Sequence, residues 1–340
     1  MLCCPNCFND VGLRNEIIPQ WSDRAGNCPN CGSDNQPLVE AAKLSDYFEL
    51  LMGIYVPSDE GRPIIDILQE DWALFSNGNI SDAKAKEILA EVLDDGEIVR
   101  RAFVISDRCR SDSLEKWKKL RSELMDSNRF FPGTDLDTDR LVFLLSNLEL
   151  GYDEWQAGWY RSRIETDGTP YPLDQMGAPP KRLASSGRAN PVGIPYLYLA
   201  SSVETAIAEV RPHPGERVTV ATFNIPDLRR VIDLRNPRAR ISPFLLEDED
   251  QIAAMRGDVN FLEILGNELS TPVAPADSMI SYVPSQYLCE FIKKCGYEGV
   301  AYKSSVSDGM NLAMFDCDIA AASSVEEFTL TSLSFEYSPV

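Results

Sequence analysis

Residues 187–209 read GRANPVGIPYLYLASSVETAIAE, and the fold of the C-terminal half turns on how this stretch divides. It opens as a glycine-marked loop carrying Arg188. Tyr196-Leu197-Tyr198-Leu199-Ala200 is short, aromatic and apolar and follows Pro195, the texture of a buried strand. Ser201 or Ser202 can then cap a helix, because a serine hydroxyl satisfies a free amide of the first turn. Glu209 falls about two turns into that helix, with the small residues Ala206 and Ala208 leaving space around it. A carboxylate buried there needs partners; a solvated helix face is the plainer alternative.

Motifs on either side favour the first reading. Trp159-Tyr160-Arg161 comes first, then Gly187-Arg188 with Asn190-Pro191, then Tyr198-Leu199-Ala200 with Glu209 eleven residues after Tyr198. Tyr302-Lys303-Ser304-Ser305 closes the series, with Asn311 and Phe315 behind it. In this order and spacing the segment from about Trp159 to Phe315 resembles the RES-domain family, named for an arginine, a glutamate and a serine. One departure stands out: the aromatic that follows the family's second arginine is here Ala189. The resemblance implies an ADP-ribosyltransferase-like fold, a split sheet with an NAD cleft.

A chain of 340 residues suggests two or three domains. Its net charge of −21 is spread over both halves, with 27 acids against 16 bases in residues 1–150. An acidic surface argues against nucleic acid as a partner, since phosphate binding needs a basic footprint. No apolar run reaches the ~20 residues of a membrane span, and Met1-Leu2-Cys3 opens no signal peptide, so a cytoplasmic protein is expected.

Cys4-Pro5-Asn6-Cys7 and Cys28-Pro29-Asn30-Cys31 are two CPNC knuckles. Paired C-x2-C motifs at this separation fit a closed, structural Cys4 zinc site of the ribbon type, with Cys4, Cys7, Cys28 and Cys31 as ligands. A disulfide pair is disfavoured in a reducing compartment.

From Leu38 to about Leu150 the chain reads helical. Ser81-Asp82 open a helix through Val92, Ser113 can cap one with Leu114, Trp117, Leu120 and Leu124 on a face, and Thr138 can cap another. This block with its zinc ribbon resembles the HEPN-like N-terminal domain of some RES proteins. The HEPN nuclease signature needs a histidine, and the only one in the chain is His213, so nuclease activity is not expected. After Trp159 short apolar runs and frequent Gly and Pro take over, with strands read at 218–223, 231–234, 299–302 and 312–315 and a helix at 287–295 ended by Gly296. Residues 164–186, rich in Pro and Gly, read as a loop over the cleft. The expected architecture is α+β: a zinc ribbon (1–37), a helical regulatory domain (38–150), an ADP-ribosyltransferase-like RES domain (151–325) and a tail (326–340).

The resemblance implies NAD as substrate. Rupture of the nicotinamide–ribose bond passes through an oxocarbenium-like state and asks for fixed cations, an aromatic wall and one carboxylate. Arg161 and Arg188 would hold the pyrophosphate, Tyr198 would stack on the nicotinamide, and Glu209 would stabilise positive charge on the ribose or orient the acceptor. Ser304 and Asn311 would hydrogen-bond the ribose or the nicotinamide amide. The implied function is NAD consumption by a glycohydrolase or phosphorylase acting as a toxin or phage-defence effector. ADP-ribosyl transfer to a protein or nucleic acid uses the same residues, and a non-enzymatic nucleotide sensor is the third alternative. Because an unrestrained enzyme of this kind would kill its host, the N-terminal block, or an antitoxin or regulatory protein encoded nearby, is expected to restrain it. A homo-oligomer is left open.

Overall fold

The computed structural model describes residues 1–76, 78–109, 112–151, 154–156, 158–225, 229–271 and 278–333. Residues 152, 153 and 157, at the start of the expected RES domain, and the end of the expected tail from 334 lie outside them. Contacts divide the chain into two compact units, Met1–Lys118 with Asn236–Glu263, and Lys119–Arg235 with Ile264–Val340.

The first unit opens with a three-stranded antiparallel sheet in the order β1-β3-β2, built from β1 (Leu2–Cys3), β2 (Arg24–Gly26) and β3 (Gln36–Glu40), with the short helix α1 (Ile18–Trp21) between β1 and β2 in sequence. The two CPNC turns bring four sulfurs within 4.8 Å of one another. Cys4 Sγ lies 3.4 Å from that of Cys31 and 3.9 Å from that of Cys7, and Cys7 Sγ lies 3.4 Å from that of Cys28. Four thiolates about 2.3 Å from a tetrahedral zinc sit about 3.8 Å apart, so the donor set fits that ion and leaves no open position. The Cys4 N–H points at Cys7 Sγ at 3.5 Å, an amide placed to soften thiolate charge. Gly32 closes the second knuckle at φ +73°, where a side chain would be strained.

The helices α2 (Ser45–Met52), α3 (Ile64–Trp72), α4 (Asp82–Val92) and α5 (Ser113–Asp126) follow. Ser81 caps α4 as its position in sequence suggests, accepting the Lys84 N–H. The uniformly helical reading of 38–150 needs correction. β4 (Tyr55–Pro63) and β5 (Ala102–Ile105) pair as an antiparallel ribbon. Two prolines, Gly61 and a run of polar residues hide the alternation of β4, and β5 is only four residues long.

Residues 236–263, placed by sequence in the RES segment, pack within this first unit. Asp71 is buried and accepts from Arg256 Nε at 2.5 Å and from the Tyr55 hydroxyl at 2.8 Å. Ser242 Oγ donates to buried Asp10 at 2.8 Å. Phe244 meets Phe48 at 4.8 Å between ring centroids, and Phe261 meets Trp117 edge-on at 5.6 Å. The pairs that tie 236–263 to the N-terminal residues join positions roughly 140 to 230 apart, beyond the reach of local patterns.

In the second unit α6 (Thr138–Ser146) is capped by Asp137, which accepts the Arg140 N–H, and not by Thr138. A seven-stranded sheet runs in the order β12-β8-β6-β7-β11-β10-β9. Its strands are β6 (Trp159–Ile164), β7 (Leu197–Ala200), β8 (Arg217–Asn224), β9 (Val231–Asp233), β10 (Gly299–Lys303), β11 (Met310–Met314) and β12 (Ala321–Thr329). Neighbours are antiparallel except β9 and β10. β12 pairs with β8 as far as Thr329, so 326–329 belongs to the sheet and not to a tail. All five residues of β11 are buried, as suits a central strand, and Trp159, Leu197, Leu199, Phe223, Leu312 and Met314 belong to one core cluster.

α7 (Val203–Val210) follows β7, capped by Ser202, whose Oγ accepts the Thr205 N–H at 3.1 Å. α8 (Glu249–Ser270) was not anticipated, although Ile252, Met255, Val259 and Leu262 recur at helical spacing; Gly257 and Gly266 lower its propensity. α9 (Ser278–Ser281) and α10 (Val283–Lys294) complete the helices, and Gly296, just past α10, takes φ +86°. Among the described residues no helix is long and apolar enough to cross a membrane.

Two outcomes follow. The purified chain is expected to carry about one zinc per molecule, by elemental analysis, and Cys28→Ser to lose the ion and melt at lower temperature; metal-free wild type indifferent to chelators would refute the site. A truncation beginning at Gly151 removes Asp10, Phe48, Asp71 and Trp117 and strands Ser242, Phe244, Arg256 and Phe261. It is expected to give less soluble protein with a lower Tm than the full chain, since breaking a buried ion pair alone costs about 3–5 kcal/mol.

Candidate active site

The sheet itself explains where a cavity forms. β6 pairs with β8 over six residues but with β7 only at Tyr160 opposite Ala200, so the two strands part beyond that point. The register then runs from Ala200 to Asn311 on β11 and from Asn311 to Tyr302 on β10. Residues paired across strands project to the same face, and Tyr198, two positions from Ala200, shares it. Tyr160, Tyr198, Asn311 and Tyr302 thus floor a cavity of about 380 Å³, walled by Arg161, Arg188 and Glu209 among others.

Arg161 stands at the parting. Its Nη1 donates to the Tyr198 carbonyl at 3.1 Å, an acceptor the diverging strands leave without a ladder partner. Its buried Nε has no hydrogen-bond partner, and among the described residues no carboxylate pairs with it. Burial, with Arg163 beside it, pushes its pKa down to about 10, so it stays cationic at neutral pH. Arg163 turns elsewhere, to the Gly177 carbonyl at 3.2 Å and the Tyr171 ring.

Arg188 also lines the cavity, but much of its hydrogen bonding is committed. Nη1 donates to the carbonyls of Leu269 at 2.9 Å and Thr271 at 2.7 Å, at the C-terminal end of α8, and Nη2 donates to Ser305 Oγ at 3.1 Å. A cation at a helix C-terminus is favoured by the helix dipole, so Arg188 anchors its loop as well as charging the cavity.

Tyr198 holds that same loop. Its hydroxyl donates to Asn190 Oδ1 at 2.7 Å and accepts the Ala189 N–H at 3.1 Å. Burial raises its pKa, so the ring remains a neutral phenol. Gly187 is required by this packing, because a Cβ there would lie 2.7 Å from the Tyr198 hydroxyl and nearer still to Asn190 Oδ1. Of the loop at 164–186, only Ser186 lines the cavity.

Glu209 reaches in from the last turn of α7. Its Oε1 accepts from Ser304 Oγ at 2.7 Å and from Asn311 Nδ2 at 2.6 Å, while Oε2 has no partner among the described residues. Ser304 and Ser305, indistinguishable in sequence, therefore separate: the first orients the carboxylate and the second an arginine. Ser304 and Asn311 each donate to Glu209, which gives them a part in orienting that carboxylate beside the substrate contact expected from sequence. Tyr302 is buried in the floor, its pKa raised by burial and by Tyr198 and Glu209 nearby. Tyr282 also lines the cavity and went unread in the sequence, since nothing local links it to a loop 94 positions away. His213 sits exposed in a turn and is not among the lining residues.

Residues from Tyr160 to Asn311 thus gather around one opening in a mixed sheet, two cations and a fixed carboxylate among them. The RES-domain family profile matches residues 159–337, more than half of the chain, and the chain belongs to that family. It is similar to a chain of the M. tuberculosis MbcT–MbcA toxin–antitoxin complex, at 16% identity over 56% of this chain and 92% of that chain, with a TM-score of 0.33. No curated protein matches it.

Gly187→Ala is expected to push the Tyr198–Asn190 pair apart, at about 1–3 kcal/mol for an overpacked site. A Tm lower than wild type by thermal denaturation would bear this out, and an unchanged Tm would contradict the packing described.

Proposed function

We propose that the cavity binds NAD and that the protein cleaves the nicotinamide–ribose bond, releasing nicotinamide to leave ADP-ribose when water is the acceptor, or its phosphate when phosphate is. The observation that carries this reading is the state of Glu209: one oxygen is fixed by two donors and the other is unpartnered among the described residues, in a cavity also lined by Arg161, which has no carboxylate partner among them. A carboxylate and a cation lining one cavity suit an anionic glycoside.

Arg161 lines the cavity as a cation and is placed to attract a phosphate oxygen, with burial strengthening the field of its charge. Arg188 adds positive potential from the loop. Glu209 opposes the charge that develops on the ribose as the bond to the already cationic nicotinamide breaks; the ring leaves neutral and no strong general acid is called for. Ser304 and Asn311 keep the carboxylate from rotating away, so little reorganisation is needed as charge appears. The aromatic floor gives flat surfaces for a heteroaromatic ring. A toxin-like role, countered by a protein partner, accords with membership of the family.

Chromatography of NAD incubated with the chain, with and without phosphate, tests the reading. Wild type is expected to deplete NAD, and Glu209→Gln to do so at least ~100-fold more slowly, the scale of removing one fixed electrostatic group. Label from NAD recovered on protein or nucleic acid would move the assignment to transfer, and intact NAD after long incubation would overturn catalysis.

A further inference from the structure

The residue at the N-cap of α10 belongs to none of the motifs read from the sequence. Tyr282 lies immediately before Val283, half-buried, with its ring against the cavity. The Arg188 guanidinium stands 5.9 Å from the centre of that ring, within cation–π range. Among the described residues the Tyr282 hydroxyl has no hydrogen-bond partner, so nothing in the fold uses its polar end.

Its position is fixed from behind. Ser285 Oγ lies 2.6 Å from the Arg188 carbonyl and 3.0 Å from the Tyr282 carbonyl, able to donate to either. Gln286 Nε2 reaches the Gly187 carbonyl at 2.8 Å and the Asn190 carbonyl at 3.1 Å. The helix start and the arginine loop are therefore one hydrogen-bonded assembly, and the ring and the guanidinium keep their spacing. Arg188 has most of its donors occupied, which suits it to a stacking and electrostatic part more than to a bidentate phosphate clamp.

We infer that Tyr282 and Arg188 form a stacking platform for a heteroaromatic base of the substrate, and that Tyr282 is a substrate-contacting residue of the site. This rests on the NAD reading and deepens it: Arg161 takes the phosphate, Glu209 faces the ribose, and the Tyr282 platform takes a ring. A flat, sequence-tolerant π surface next to a cation is the usual means of holding a base without reading its edge. The base is adenine or nicotinamide, two rings of one chemistry that nicotinamide mononucleotide distinguishes, since it lacks adenine.

The test is steady-state kinetics of the full chain with Tyr282→Ala, Tyr282→Leu and Tyr282→Phe. The alanine and leucine variants are expected to raise KM for NAD about tenfold, equivalent to about 1.4 kcal/mol of stacking, with a smaller change in kcat. Tyr282→Phe, which keeps the ring, is expected to stay within about twofold of wild type. A KM defect confined to NAD assigns the platform to adenine, and one shared with nicotinamide mononucleotide assigns it to nicotinamide; both support the inference. Leucine preserves bulk, so a loss of folding in the alanine variant leaves the comparison intact. Wild-type KM in both the leucine and alanine variants would overturn the platform while leaving NAD cleavage standing. Wild type that neither consumes nor binds NAD would overturn both.

Discussion

The architecture of the site depends on one interruption in a sheet. β6 and β7 share a single residue pair and then separate, and the carbonyl of Tyr198 is met by the Arg161 guanidinium in place of a strand amide. Unpaired backbone groups at a buried strand edge are costly. A side chain that satisfies one of them while keeping its charge removes that cost and creates a cationic cleft together. The floor then follows from pairing, since Ala200, Asn311 and Tyr302 stand in register across three strands.

The charged groups around that opening are held in different ways. Glu209 is constrained by hydrogen bonds from two elements, the strand residue Asn311 and Ser304 just past β10. Arg161 is constrained by burial and a single carbonyl, with Nε left over. Arg188 sits between these extremes, tied to the end of α8. Among the described residues Glu209 keeps one oxygen without a partner and Arg161 has no carboxylate partner, so the two charges lining one cavity do not neutralise each other through an ion pair. Held groups of this kind act on developing charge without first reorganising.

The N-terminal unit is stabilised by other means. Its sheet is too small to supply a core by itself, and the four cysteines supply a donor set that fits zinc. The unit also takes in residues 236–263, through the Asp71–Arg256 and Asp10–Ser242 contacts and two aromatic pairs. Sequence order therefore does not coincide with compact units, and a boundary drawn at 150 cuts through one of them.

Local chemistry made several parts of this protein readable. The CPNC knuckles, the Ser202 cap, the strand at Leu197–Ala200 and the Gly296 stop each rest on residues within a few positions of one another. The motif residues Arg161, Arg188, Tyr198, Glu209 and Asn311 line one cavity as a set, and Ser304 stands behind Glu209. What the tertiary structure decided is how each is used: Ser304 and Asn311 hold an acid, Arg188 is half committed to a helix end, and Tyr282 joins from outside every motif. The β4–β5 ribbon and the allegiance of 236–263 were equally hidden. Spacing along a chain reports periodicity and turn chemistry, whereas these assignments depend on which distant groups meet, and that is fixed only when strands choose their partners.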